Sequence, residues 1–434
     1  ALAVSLLTGL AFGLVPALHA ARSDPATALR GSSSRAGIGR GVQRARNALV
    51  VAEIALSLML LVGSGLLIRS FARVTEIGVG FDTAGLVSAQ LSLPASRYAD
   101  TRDRVQFYEE LVGRVQSLPG VAQASAITFL PLAGQGSATS FWVNDRPVPE
   151  PGQLPAADIR WLHRDYHRTM GIPLLAGRLF DESDGPDAPL VVIVSRALAE
   201  RFWPDGGAVG PTLSMPWGDT LVAEIVGVVG DVRHNGPDKT PREKIYWHHV
   251  QFQEFNTMTI VARTTGDPLD HVAAMRAEVE AMDPDLPLFN VRTMDARFSE
   301  AVAQRRFIML ALGVFATIAA LLACVGVFGV MSYLVSQRTH EIGVRMALGA
   351  NARTVASQIL RKALWLIGLA TAIGGAGALL LSRVMRSMVF EVSTIDPLTL
   401  AAATVLLAGV AVASSLWPAL RAARVDPVRA LRFE

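Results

Sequence analysis

One uninterrupted apolar segment constrains this chain more than any other feature of its sequence. Residues 307–335 contain no Asp, Glu, Lys or Arg. As an α-helix they would extend over roughly 43 Å, whereas the hydrocarbon core of a bilayer is about 30 Å thick. A helix inside a soluble domain has no need of that length. The segment therefore predicts a transmembrane helix at 306–336 that extends beyond the bilayer.

Three further apolar segments, at 48–70, 363–382 and 398–417, predict three more transmembrane helices. A chain with 51% apolar residues and a mean hydropathy of +0.37 is too apolar for one soluble enzyme. The helix at 363–382 carries small residues four positions apart in two rows, a pattern that permits close packing of membrane helices. The predicted packing residues are Gly368, Ala370, Ala372, Gly374 and Ala378.

Glu53 is a charged residue inside the helix predicted at 48–70. If that helix starts near Arg46, Glu53 lies roughly 10 Å inside it. Carboxylates within membrane helices are costly and are often functional. The alternative is that Glu53, being close to the membrane edge, contacts lipid headgroups or the arginines that precede the helix. The sequence leaves both interpretations open.

The charges divide the chain into an acidic block and a basic frame. Residues 71–305 hold 21 basic and 30 acidic residues, a net charge of −9, and the remaining residues hold 19 and 7, a net charge of +12. Fifteen Lys and Arg residues fall in the segments 21–46, 337–362 and 418–434. Because basic loops tend to stay in the cytoplasm, these segments are predicted to be cytoplasmic and 71–305 extracytoplasmic.

The acidic block alternates strand and helix signals. Val87, Ala89 and Leu91 follow the period-2 pattern of a strand, and 100–118 carries apolar residues at helical spacing. Further strands are predicted at 121–129, 190–195, 221–229, 257–263 and 288–291, with a helix at 268–282. We therefore predict a large extracytoplasmic mixed α/β domain with an inserted lobe at about 131–253. The block contains no cysteine and thus no disulfide framework, since the single Cys324 lies in a predicted span.

An internal repeat relates the two ends of the chain. Pro16–Arg30 recurs as Pro418–Arg432 with eleven of fifteen positions identical, and each copy follows an apolar segment. The repeat predicts a duplicated module. Residues 1–17 are then the end of the last transmembrane helix of a preceding module, a remnant span; a signal peptide without a basic region is the alternative. The preceding module of the full-length chain is a predicted partner.

The remaining segments are assigned from their charge. Residues 18–47 are predicted to form a flexible basic cytoplasmic linker, 383–397 an external loop and 418–434 a cytoplasmic basic tail. A basic segment beside a span is attracted to anionic lipid headgroups, which is a better explanation here than a nucleic-acid arm. The lipid bilayer is therefore a predicted partner and nucleic acid is not.

A short charged sequence follows the longest span. Thr339 can cap a helix, and Glu341 in the first turn suits the positive end of the helix dipole. Glu341 precedes Arg345 by four residues, the spacing of an ion pair on a helix surface, and Gly349 is a natural helix end. The sequence thus predicts a short helix at the membrane face, within a cytoplasmic segment at 337–362.

The sequence from Arg338 to Ala350 resembles the signature that follows the second span of FtsX-like, MacB-like ABC transporter permeases. Leu174–Arg178 and Val226–Arg233 resemble parts of the MacB-like periplasmic core domain. In this family the helix after the second span docks on the cytosolic ATPase, so 337–362 would be a coupling segment. The docking residues that the resemblance implies are Arg338, Glu341, Ile342, Gly343, Arg345, Met346 and Gly349.

The resemblance implies an α-helical transmembrane bundle of four spans plus the remnant, carrying the α/β domain, in a bacterial inner (plasma) membrane. It implies the permease subunit of an ABC-type transporter, in which a separate cytosolic ATPase uses ATP and this chain binds no cofactor. The helices would transmit the motion of the ATPase to 71–305 for export or extraction of a substrate. The alternatives are a membrane sensor or scaffold without an ATPase and, for the helix after the span, a mere connector.

Catalytic and metal motifs are weak throughout the sequence. None of the three lysines follows a glycine, so there is no phosphate-binding loop. His163 and His167 have the spacing of a metal pair without an accompanying motif, and 181–185 lacks the full calcium-loop pattern. Ser195, with Asp231 and His234, is not surrounded by a nucleophile elbow. We predict no enzyme, no catalytic residue and no metal site.

Overall fold

A computed structural model of the chain describes residues 35–134, 136–150, 152–218, 220–252, 254–337, 344, 351–384 and 396–423. Its contacts divide the chain into two units. One unit is Ile68–Met309, and the other comprises the residues before and after it. The two units are described separately.

The α-helices in the described residues include α1 (Arg35–Ile77), α2 (Thr101–Gln116), α3 (Tyr166–Met170), α4 (Arg196–Phe202), α5 (Val272–Met282), α6 (Met294–Gln337), α7 (Ala352–Val384) and α8 (Pro397–Ala423). The strands are β1 (Leu86–Ser92), β2 (Val121–Ile127), β3 (Ser137–Ser140), β4 (Trp142–Val143), β5 (Ala156–Leu162), β6 (Leu174–Gly177), β7 (Val191–Ser195), β8 (Thr212–Met215), β9 (Leu221–Val229), β10 (Lys244–His248), β11 (Thr257–Thr264) and β12 (Phe289–Thr293). A 3₁₀ turn at Pro268–His271 precedes α5.

Among the described residues, four helices are long and apolar enough to cross a membrane. The candidate spans are Arg44–Arg73, Met294–Ser336, Leu360–Val384 and Pro397–Pro418. In the most apolar stretch of α1, 50% is buried inside the protein, whereas in the most apolar stretch of α6 only 11% is buried. Helix α1 is therefore the most buried of the four candidate spans. Helix α6 exposes most of its apolar surface, as a helix in contact with lipid does.

Helix α1 begins at Arg35, inside the segment 18–47 for which we predicted a flexible linker. No proline or glycine occurs between Val42 and the apolar residues that follow Asn47. Once a helix is nucleated, each added residue gains a hydrogen bond at little further cost, so the helix extends through the arginines. The remnant span at 1–17 lies outside the described residues.

In the unit Ile68–Met309, the described residues form one mixed sheet of twelve strands. Ten of them form a continuous path in the order β12-β1-β11-β2-β5-β10-β7-β9-β8-β4, while β3 pairs with β5 and β6 with β9. Helices α2 and α5 pack on β1, β11 and β2 around an apolar core that includes Tyr108, Leu111 and Val279. A second core around Trp161 and Trp247 covers the other end of the sheet.

The two ends of the sheet meet at a narrow seam between β2 and β5. Only one pair of residues, Ile127 and Leu162, is in ladder register there. Two flanking backbone hydrogen bonds, each 2.9 Å, join Thr128 to Trp161 and His163 to Ala126. We call the β12-β1-β11-β2 side the first half and the β5-to-β4 side the second half. The predicted lobe at 131–253 thus extends the same sheet instead of forming one of its own.

Candidate functional site

The predicted ATPase-docking residues lie outside the described residues. This applies to all seven, namely Arg338, Glu341, Ile342, Gly343, Arg345, Met346 and Gly349. Within that stretch the structure describes Val344 alone, which is helical. The docking helix therefore stays a prediction from the sequence.

The two rows of small residues on α7 lie in different environments. Ala370, Gly374 and Ala378 are buried in the core of the bundle. A Cβ atom on Gly374 would lie 2.9 Å from both Cα and the carbonyl oxygen of Ala55 on α1. Only a glycine permits this approach of the two helices. Gly368 and Ala372 are exposed on the opposite side of α7.

Two further close approaches were not predicted from the sequence. A Cβ atom on Gly65 of α1 would lie 2.6 Å from Cγ2 of Thr399 on α8, and one on Gly377 of α7 would overlap the Met59 side chain. Gly65 stands apart from the small-residue rows in the sequence. Its role depends on a partner in another helix, so its spacing alone could not reveal it.

Glu53 lies in the helix bundle beside a cavity of about 380 Å³. Apolar side chains from α1, α6 and α7, among them Leu56 and Leu322, form the rest of its wall. Within the described ranges the buried Oε2 atom of Glu53 has no hydrogen-bond partner. A Cβ atom on Gly326 of α6 would overlap that oxygen, so this glycine makes room for the carboxylate. The headgroup contact and the functional role of Glu53 both stay predictions from the sequence.

Ser195, Asp231 and His234 have structural partners in the sheet domain. Oγ of Ser195 caps α4, accepting from the backbone N–H of Leu198, and it also accepts from the backbone N–H of Lys244 at 2.9 Å. Asp231 accepts a hydrogen bond from the side chain of Arg196 and another from the backbone N–H of Ala197. These contacts are those of a helix cap and an ion pair.

The acidic turn at 181–185 is organised by an arginine. Arg178 donates two hydrogen bonds to Asp184, 2.6 and 2.7 Å long, and Asp184 is almost fully buried. Such a bidentate pair uses both carboxylate oxygens of Asp184. Arg178 belongs to the Leu174–Arg178 segment that resembled the MacB-like domain, and its pairing with Asp184 holds the turn in place.

A cluster of histidines and one carboxylate lies at the seam of the sheet. Nε2 of His249 is 2.6 Å from Oε1 of Glu109 on α2, and Nε2 of His163 is 3.5 Å from the same oxygen. One ligand atom from each of Glu109, His248 and His249 lies within 4.8 Å of the others. The structure thus places His163 beside Glu109. His167, its partner in the sequence pattern, contacts Tyr166 and Tyr246 instead.

Burial shifts the ionisation of this cluster. It lowers the pKa of His163 and that of His248 to about 4, so both rings are neutral at pH 7. For Glu109, burial alone would raise the pKa, but the hydrogen bond to His249 and the charge of the neighbouring rings when protonated lower it to about 2. A carboxylate beside neutral imidazoles is an arrangement that can hold a proton or a cation.

His167 makes a direct prediction about stability and pH. Burial lowers its pKa to about 3, whereas an unfolded histidine has a pKa of about 6.5. The unfolded state therefore binds the proton more readily, and the free energy of unfolding falls as pH decreases from about 6.5 to 3, by about 1.4 kcal/mol per pH unit. The variant His167→Phe keeps an aromatic ring and should lose about 2 kcal/mol less than wild type between pH 7 and 5.

Urea unfolding at both pH values, followed by tryptophan fluorescence, measures this difference. Five of the seven tryptophans lie in the sheet domain, with Trp161 and Trp247 in its core, so most of the signal reports on that unit. His271→Gln, at a partly exposed histidine, serves as the control and should show the wild-type pH dependence. An identical pH dependence for His167→Phe and wild type would contradict the assignment.

Two family models match the chain. The MacB-like periplasmic core domain matches residues 48–282, which is more than half of the 434 residues, and the FtsX-like permease C-terminal model matches 313–427. The chain belongs to the MacB-like, FtsX-like permease family. Its membrane helices carry a large extracytoplasmic mixed α/β domain, as the resemblance implied. The seam cluster and Glu53 both lie within the match to the periplasmic core domain.

Relatives of this MacB-like permease include two exporters. The macrolide export ATP-binding/permease protein MacB of Agrobacterium fabrum is 25% identical over 431 residues, which cover 95% of this chain and 64% of the relative. The pyoverdine export ATP-binding/permease protein PvdT of Pseudomonas syringae pv. tomato is 26% identical over 274 residues, covering 60% of this chain and 40% of the relative. The chain thus spans less than two thirds of the length of either.

Solved structures also match the chain, among them a periplasmic region. The periplasmic region of MacB from Actinobacillus actinomycetemcomitans aligns with a TM-score of 0.35 and 12% sequence identity. The alignment covers 52% of this chain and 95% of that chain.

Proposed function

We propose that this MacB-like permease is the membrane-spanning subunit of an ABC-type exporter in a bacterial inner membrane. The observation that carries the proposal is the order of the two family matches along one chain: a periplasmic core domain, then an FtsX-like permease module. Along the sequence, one apolar helix precedes the sheet domain and the other three follow it. The named exporters MacB and PvdT match 95% and 60% of the chain, at 25% and 26% identity.

In this proposal the energy comes from a separate cytosolic ATPase. The chain contains no phosphate-binding loop, and the relatives whose names include an ATP-binding part extend beyond the region that it matches. ATP is therefore used by the partner, and this chain needs no cofactor of its own for transport. The ATPase docks on the helix predicted after the second span, and α6 and α7 transmit its motion towards the sheet domain.

The preceding module of the full-length chain supplies the second half of the membrane bundle. The repeat of Pro16–Arg30 at Pro418–Arg432 supports this proposal. So does the exposed row of Gly368 and Ala372, which offers a second small-residue surface to a neighbouring helix.

Docking predicts a specific defect for Gly343→Leu. Glycine inside a helix costs about 1 kcal/mol relative to Ala, so in a mere connector its replacement should be neutral or slightly stabilising. In a docking helix, the missing side chain permits close approach of the ATPase, and Leu would block it. We expect Gly343→Leu to reach the membrane at wild-type levels and to lose most of the recovered ATPase in a pull-down.

The control for this experiment is Gly113→Leu, the same substitution on α2. A Cβ atom at Gly113 meets no described atom within 4 Å, so the side chain has room. This variant should recover the ATPase as wild type does. Equal recovery by Gly343→Leu and wild type would refute docking through this helix and favour the connector.

A further inference from the structure

The histidine cluster at the seam contains two ring nitrogens that ordinary packing does not explain. Nδ1 of His248 lies 3.1 Å from the carbonyl oxygen of Asp184, and a carbonyl can only accept. Nδ1 therefore carries the hydrogen, and in the neutral ring Nε2 has a free lone pair. His248 is 4% exposed, and Nε2 has no hydrogen-bond partner in the part of the chain that the structure describes.

His249 shows the same division between its two nitrogens. Nε2 donates to the carboxylate of Glu109, and Nδ1 is buried and without a partner among the described residues. His249 is completely buried. Burying a polar atom without a partner is unfavourable, and a cation bound to Nε2 of His248 would remove that cost for this ring. His249 would bind the same cation through Nε2, which lies beside Glu109, once that nitrogen gives up its hydrogen.

His163 has a different role in the cluster. Its Nδ1 accepts from the backbone N–H of Asp165 at 3.2 Å, so in the neutral ring the hydrogen is on Nε2. That N–H faces Oε1 of Glu109. His163 is thus a positioning residue that orients the carboxylate, as the outer partners of metal ligands commonly do.

We propose that Glu109, His248 and His249 form a binding site for a divalent transition-metal ion, with zinc as the best match. Two imidazoles and one carboxylate are a ligand set that zinc accepts, leaving a fourth position for water. Ligand atoms of a tetrahedral zinc ion lie about 3.4 Å apart. The three ligand atoms here lie within 4.8 Å of one another, so movements of up to about 1.4 Å bring them into range. The Glu109 side chain is 32% exposed and provides the entrance for the ion.

The site joins the two halves of the sheet. Glu109 lies on α2, which packs on the first half. His248 is the last residue of β10 in the second half, and His249 follows it. The ring of His248 is held by the Asp184 carbonyl and stacks on Phe180, and Asp184 is fixed in turn by Arg178. The ion would therefore connect the halves beside the seam, where the backbone ladder has a single paired position.

The test uses the full chain without a polyhistidine tag, purified in detergent and freed of metal with a chelator. Titration with Co²⁺ should give the visible absorption bands of tetrahedral coordination, saturating at one ion per chain and displaced by Zn²⁺. Glu109→Gln, His248→Gln and His249→Gln should each weaken binding at least about 100-fold. His163→Gln should weaken it by about 10–100-fold and keep the tetrahedral spectrum at saturation, as expected of a positioning residue.

Two controls separate this site from other histidines. His271→Gln and His167→Phe should bind Co²⁺ as wild type does. Absence of tetrahedral bands in wild type would overturn the proposal, as would full binding by the double variant His248→Gln/His249→Gln.

A second measurement uses only the wild-type protein, so it does not require that any variant folds. Zn²⁺ at about 100 times its dissociation constant should raise the unfolding temperature of the wild-type sheet domain by about 5–10 °C. Mg²⁺ should have no such effect, because it prefers oxygen ligands and octahedral geometry. An equal shift with both ions, or none with Zn²⁺, would contradict the proposal.

Discussion

Replacing Asp158 with alanine should destabilise the sheet domain by about 3–5 kcal/mol. Asp158 on β5 is 6% exposed and lies 3.7 Å from the guanidinium of Arg160, which is 1% exposed. Burial lowers the pKa of Arg160, but an arginine remains protonated inside a protein. Removing one partner of a buried ion pair leaves the other charge uncompensated in a medium of low polarity, and this accounts for the size of the effect.

Asp285→Ala provides the matched control for Asp158→Ala. Asp285 also pairs with an arginine, Arg97, at 2.9 Å, but the two side chains are 73% and 49% exposed. Exposed pairs contribute about 0–1 kcal/mol. Urea unfolding of both variants followed by tryptophan fluorescence gives the two free energies. Similar losses for the two would show that burial of Arg160 carries no special cost.

Gly374→Leu should disrupt the helix bundle, whereas Gly368→Leu should not. The two glycines lie six residues apart on the same helix, α7. A side chain at Gly374 would meet the backbone of Ala55, which cannot move aside without shifting α1. Overpacking of this kind costs about 1–3 kcal/mol, and backbone contact places Gly374→Leu at the upper end. No described atom lies within 4 Å of a Cβ atom at Gly368.

Thermal unfolding in detergent, with the amount of protein in the membrane at equal synthesis, measures both variants. In this chain expressed without the preceding module, Gly374→Leu should unfold at a lower temperature than wild type and accumulate less. Gly368→Leu, whose row is proposed to contact that module, should match wild type in the same protein. Equal stability of the two would mean that α1 and α7 do not pack as the structure has them.

The local pattern of the sequence predicted many elements of the sheet domain. The strand predicted at 221–229 is β9 with the same bounds, and 257–263 is β11 with one residue more. The 3₁₀ turn and α5 together fill the helix predicted at 268–282. These segments carry strong periodic patterns between turn residues, so local propensity and tertiary packing favour the same structure.

The sequence predicted less well which residues come together at the candidate sites. The i, i+4 rows on α7 were visible, but which row is buried depends on α1, a separate segment of the chain. Glu109 and His249 are 140 positions apart and meet only because α2 covers the seam. The visible signal was His248 beside His249 at the end of an apolar strand, and the sequence alone gave no reason to connect them with Glu109.

The narrow seam makes the sheet domain two cooperative units in terms of local unfolding. Each half keeps its own hydrogen-bonded ladder and its own apolar core, while the joint between them has few backbone hydrogen bonds and a shared cluster of side chains that includes Leu130 and Tyr166. Apolar packing is not directional, so it tolerates sliding better than a ladder does. Opening at the seam therefore requires less free energy than global unfolding. We expect the two halves to behave as separate foldons, with local opening beginning at the seam.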